Sequence, residues 1–105
     1  MSDLAIVKGC AKALGKELHE VQGLIGTYYE TADGPFWPLT TKQQALDIAV
    51  ALRMKIVPQD LVMDNKGNKV PGWRVETEGS VAPHYNVDLL RAICECAAEL
   101  NGVRI

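Results

Sequence analysis

The apolar positions change their period more than once along this chain. From about Asp3 to Glu20 they recur at helical spacing, with Leu4, Val7, Cys10, Ala11, Leu14, Leu18 and Val21 within about a third of a helical circumference. This predicts a first helix with one core-facing stripe, capped by Ser2 or Asp3 and left behind by Gly23 and Gly26. The segment TYYET at 27–31 favours extended structure and is a candidate strand. "GPFWP" at 34–38 reads as extended too, because Pro35 and Pro38 each bias the preceding residue away from the helical region. Thr40 and Thr41 are each followed three residues later by a glutamine, Gln43 and Gln44, which is capping-box spacing. A second helix therefore runs to about Arg53 or Met54, burying Ala45, Ile48, Ala49 and Leu52, with Leu39 as its staple. Phe36 and Trp37 then close the lid of the core where the chain turns into this helix.

Beyond Lys55 the helical period gives way to β-branched and aromatic residues. Asp64, Asn65, Gly67 and Asn68 form a turn cluster between two apolar stretches, which predicts a β-hairpin. Trp73, Val75 and Thr77 alternate with Arg74, Glu76 and Glu78, so one face packs and the other is wet. Pro58 and the Pro71-Gly72 pair imply a sheet edge, a strand end or a bulge. The last helix starts at Asn86 as N-cap with Asp88 in its first turn and stops at Asn101-Gly102. Val87, Leu90, Ile93, Cys94, Ala97 and Leu100 are its apolar stripe. The order helix, possible strand, helix, hairpin, helix predicts a single α+β domain over 1–105, with helices packed on a small antiparallel sheet in an α/β/α-type layer sandwich.

Composition narrows the function classes. With 48% apolar and 23% charged residues the chain is of ordinary globular type, and a formal net charge of -2 supplies no global attraction to nucleic acid or anionic membrane. Its start lacks an uninterrupted apolar segment with a cleavage site, so a cytoplasmic location is expected. Three cysteines fit a reduced compartment and free, buried thiols. On a helix Cys94 and Cys96 point about 200° apart, so one metal ion cannot take both. Lys8, Lys12 and Lys16, with His19, form a basic strip on the first helix that reads either as a phosphate or acidic-partner contact or as a solvated face partly neutralised by Glu17 and Glu20.

Candidate chemistry is sparse. His84 lies near Tyr85 and Asp88, the raw material of general acid and base catalysis, but no serine, cysteine or second histidine is tied to it by local pattern. His19-Glu20 is followed by Gly23 where a zinc protease requires histidine. "DNKGNK" lacks the ligand spacing of a calcium loop, and the glycines form no phosphate-binding motif. No cofactor is expected.

"FWPLTTKQQALDIAVAL", then "GWRVETEG", then "LLRAICECAAEL" together resemble the phage ABA sandwich domain, over roughly residues 34–101. The carrying motifs are a proline, a threonine-rich cap, an amphipathic helix and a closing alanine-rich helix with Ala92, Ile93 and Cys94. The resemblance implies a helix and sheet sandwich and a phage or prophage origin, and it brings no assigned activity and no catalytic residue. Three functions are compatible with these readings. The first is a non-enzymatic module, a monomer or a homodimer, that binds a host or phage partner through a sheet edge or the surface around Tyr28, Tyr29 and Trp37. The second is a nucleic-acid accessory protein using Lys8, Lys12 and Lys16. The third is a small enzyme around His84 and Asp88.

Overall fold

A computed structural model describes residues 2–78 and 83–101. The fold class is α+β. Helix α1 spans Asp3–Ala13, and the Ser2 side chain caps it by accepting from the Ala5 N–H at 3.2 Å. The helix is shorter than the expected run to Glu20, and the reason is Gly15. At φ +68° Gly15 adopts the left-handed region, its N–H donates to Lys12 O at 3.0 Å, and the Lys16 N–H donates to Ala11 O at 2.8 Å. That pair of bonds is a Schellman stop, which satisfies the last carbonyls and turns the chain away.

Past this stop the chain forms a hairpin where a helix was expected. Strands β1, His19–Gly23, and β2, Gly26–Thr31, pair antiparallel from His19↔Glu30 to Gly23↔Gly26, so the candidate strand at 27–31 is confirmed and gains a partner. Gly23 and Gly26 flank the two-residue tip Leu24-Ile25 instead of ending a helix. The two-residue strand β3, Gly34–Pro35, adds to the β2 edge opposite Thr31 and Glu30.

Helix α2, Lys42–Ala51, buries Ala45, Ile48 and Ala49 as the period predicts, while Leu52, expected in the same stripe, is its C-cap and only half-buried. Its N-cap is Thr41, but the Thr41 side chain makes no capping bond, and the Gln44 amide is engaged with Trp37 instead of the cap. The helix also closes with a Schellman pair, Arg53 N–H to Val50 O and Met54 N–H to Ala49 O, which holds the non-glycine Arg53 at φ 52°.

The second sheet has the order β4-β5-β6, formed by β4 Lys55–Met63, β5 Lys69–Glu76 and β6 His84–Asn86. Pro58 lies on the edge strand β4, and Pro71 sits where the β4–β5 register shifts between Gln59 and Val62, so both prolines occupy the kinds of position expected for them. The turn at 64–68 is held by Asp64, whose Oδ1 accepts from the Lys66 and Asn68 N–H groups at 2.9 and 2.8 Å. Asp64 is therefore the element that holds this turn.

Helix α3, Leu89–Leu100, is capped by Asp88 rather than Asn86: the Asp88 carboxylate accepts from Leu90 and Arg91 N–H groups, while Asn86 Oδ1 accepts from the Asp88 N–H. The cap therefore sits two residues later than expected, and Val87 falls outside the stripe and is 42% exposed. Gly102, expected as the stop, lies outside the described residues. Ala92, Ile93, Cys94, Cys96, Ala97 and Ala98 are all buried, and the helix meets α1, α2, β5 and β6. Contacts between helices and the second sheet run mainly through α3, so the layers are sheet, α3, then α1 and α2. One apolar cluster joins Ile6, Val7 and Cys10 of α1 with Phe36, Ile48, Val75 and the buried face of α3. Alanine, cysteine and Gly9 along the α1–α3 seam are what let these two helices approach closely.

Candidate functional site

The structure gathers Tyr28, Tyr29 and Trp37 at one place, the base of the β1–β2 hairpin. Trp37 is fixed there through backbone and ring together. Its N–H donates to Gln44 Oε1 at 2.7 Å, its carbonyl accepts from the Thr40 and Thr41 N–H groups at 3.2 Å each, and its ring stacks on Tyr29 with centroids 5.7 Å apart and planes inclined by 26°. The neighbouring Phe36 N–H donates to Tyr29 O at 2.9 Å, and the Phe36 ring is buried in the core. Gln44 completes the clamp by donating from Nε2 to Pro35 O at 2.7 Å. The "GPFWP" segment is thus docked by α2, as expected, though through glutamine and not through a threonine cap.

Docking leaves the outer side open. Thr27, Tyr28, Tyr29, Pro35, Phe36, Trp37, Thr41 and Gln44 line a groove of about 510 Å³, and none of them is acidic or basic. Two residues before Thr27, which lines it, the hairpin tip begins, where Leu24 and Ile25 are fully exposed at 107% and 106%. Sequence reasoning placed Leu24 and Ile25 nowhere, since it read this stretch as the end of a helix; the Gly-x-x-Gly spacing of a two-residue turn was the signal that could have found them.

The three lysines do not form a strip. Lys8 and Lys12 are exposed on α1, but Lys16 lies past the Schellman stop with Nζ 2.7 Å from Asp33 Oδ2. No lysine or arginine lines the aromatic groove, and Lys42 follows its lining residue Thr41 directly. A second depression of about 480 Å³ is lined by Lys16, Glu17, His19 and Glu30 among others. His19 and Glu17 are exposed there, so nothing excludes water from them.

His84 and Asp88 are given to different tasks. His84 Nε2 lies 2.7 Å from Glu99 Oε2 on α3, and the Asp88 carboxylate is taken up by capping. Arg91 forms a clasp between helices, with Nη1 3.0 Å from Asp3 Oδ1 and Nε 3.3 Å from Glu95 Oε2. Burial opposes its charge, yet the hydrogen bond and charge of Asp3, followed by Glu95, raise the Arg91 pKa overall. Cys10, Cys94 and Cys96 are free and buried. The Cys94 thiol is pushed up, first by its hydrogen bond with Cys10 and then by burial. Among the described residues no group of three or more His, Cys, Asp or Glu side chains could hold a metal ion, and no helix is long and apolar enough to cross a membrane.

No family model matches the chain, and no curated protein or solved structure matches it either.

Proposed function

We propose that the protein is a small non-enzymatic binding module that holds a protein partner through the β1–β2 hairpin and the aromatic groove at its base. The observation that carries this reading is the contiguity of a fully exposed Leu24-Ile25 tip with a groove lined by no charged side chain. Large apolar side chains that folding leaves in water mark contact surfaces when they cluster, and aromatic residues in an uncharged setting form the centres of such surfaces. The resemblance of residues 34–101 to the phage ABA sandwich domain supports a phage or prophage setting, in which the partner is a host or phage protein.

The reading is tested by capture from bacterial lysate supplemented with untagged native chain, using two baits, the native chain and Tyr28→Ser, whose 42%-exposed ring lines the groove. The native bait retains a protein in high salt and the variant loses it. Equal capture by both baits, or salt-sensitive recovery of nucleic acid, contradicts the reading.

A further inference from the structure

We propose that the partner of this surface is a second copy of the same chain, with two β1–β2 hairpins exchanged about a twofold axis so that Leu24 and Ile25 of each copy sit in the aromatic groove of the other. The inference rests on the proposed function, in which hairpin and groove form one contact surface. Strand β2 runs from the tip into one wall of the groove, whose other wall is the 35–37 segment with Thr41 and Gln44, so a twofold overlap of two hairpins brings each tip to the other's groove in one step, which is the self-complementarity an isologous interface requires.

Charge does not oppose this occupant, and it disfavours an anionic one. Residues 21–29 contain no acidic or basic side chain, and neither does the groove, so these surfaces meet their own copies without like-charge contact in a chain of net charge -2. The acids of the hairpin root, Glu20 and Glu30, lie toward the body and face the uncharged tip of the other copy rather than its acids. A lipid surface or a nucleic acid would need cations beside the tip, and 17–41 offers Glu17, Glu20, Glu30 and Asp33 without a lysine or arginine. The backbone is also prepared. Strand β3 covers β2 only at Glu30 and Thr31, and Phe36 takes the Tyr29 carbonyl before Trp37 turns its N–H to Gln44, which leaves the distal part of β2 as an edge that an incoming strand can pair with.

Size sets the expected strength. Four tip side chains, two Tyr28 rings and the groove walls they cover amount to roughly 1,000 Å² of buried surface, at the low end for a specific interface. A reversible dimer is expected, populated at concentrations of roughly 10 µM to 1 mM. Among the described residues the other exposed large apolar side chains, Val50, Leu61, Met63, Tyr85 and Val87, are divided among α2, β4, β6 and the link from β6 to α3, and none of them lines the aromatic groove.

Light scattering and sedimentation equilibrium over that concentration range, joined to isotope-filtered NOE spectra of a one-to-one mixture of labelled and unlabelled chain, test the proposal. The native chain passes from monomer to dimer, the dimer resists salt, and methyl signals of Leu24 and Ile25 show contacts to the Tyr29 and Trp37 rings of the other copy. The double variant Leu24→Ser, Ile25→Ser weakens association by at least about tenfold with its fold intact by near-ultraviolet circular dichroism. A native chain that stays monomeric throughout, a double variant that dimerises as well as the native chain, or intermolecular contacts confined to another face overturns it. If the native chain is monomeric while Tyr28→Ser still abolishes capture from lysate, the second-copy inference falls and the binding-module reading stands.

Discussion

The backbone N–H of Trp37 donates to the side-chain Oε1 of Gln44, seven residues on, at 2.7 Å, while the same amide's Nε2 donates to Pro35 O at 2.7 Å. One side chain therefore satisfies a donor and an acceptor of an extended segment whose prolines prevent it from joining a helix. Gln44→Ala leaves both groups without their partner and is expected to lower stability by about 1 to 3 kcal/mol. Gln44→Glu keeps the acceptor for Trp37 but loses the donor to Pro35, and falls between the two. Urea midpoints followed by tryptophan fluorescence check this order, and an alanine variant as stable as the native chain would contradict the clamp.

Arg53 at φ 52° closes α2 in a conformation that costs a residue with a side chain roughly 1 kcal/mol. Arg53→Gly removes that cost and keeps the Schellman bonds, with part of the gain offset by the larger freedom of glycine in the unfolded chain. The variant should be as stable as the native chain or better by up to about 1 kcal/mol in thermal melts. A loss greater than about 1 kcal/mol would mean that the arginine side chain itself holds the turn.

The buried Cys94 thiol gives a pH signature. Its hydrogen bond with Cys10, followed by burial, raises its pKa in the folded state, so the folded protein retains a proton that the unfolded chain releases above about pH 8.5. Stability is present in full below that pH and falls as pH rises past it, by at most about 1.4 kcal/mol per pH unit. Chemical denaturation on either side of that pH, at about 7.5 and about 9.5, should show the loss in the native chain and a smaller loss in Cys94→Ala. An identical pH slope in both would exclude the thiol as its source.

The elements that depend on local pattern were legible in the sequence. Ile93, Cys94 and Ala97 of the α3 stripe, Ala45, Ile48 and Ala49 of the α2 face, the Asp64–Asn68 turn and the positions of Pro58 and Pro71 arise from periodicity and proline stereochemistry, and each is found in the fold. The error at α1 shows where such reasoning stops. Leu18 and Val21 continue the helical phase by coincidence, and the deciding residue was Gly15, whose left-handed φ terminates the helix before them. That one misreading hid the β1 strand, the exposed tip and the break in the lysine strip. Tyr28, Tyr29 and Trp37 were recognisable as a candidate surface from their residue types. The groove they share depends on the Gln44 clamp, a contact whose capping-box spacing pointed to a different backbone target.

Leu24 and Ile25 bury no side-chain surface in the fold, and in the proposed module they carry the binding. The most direct test measures both quantities on one preparation of the Leu24→Ser, Ile25→Ser variant: its urea midpoint, and its association with partner or second copy against the native chain. Because both side chains are fully exposed, stability should stay within about 0.5 kcal/mol of native while association is lost. A variant that unfolds earlier by more than about 1 kcal/mol, or one that associates as the native chain does, would contradict the central claim.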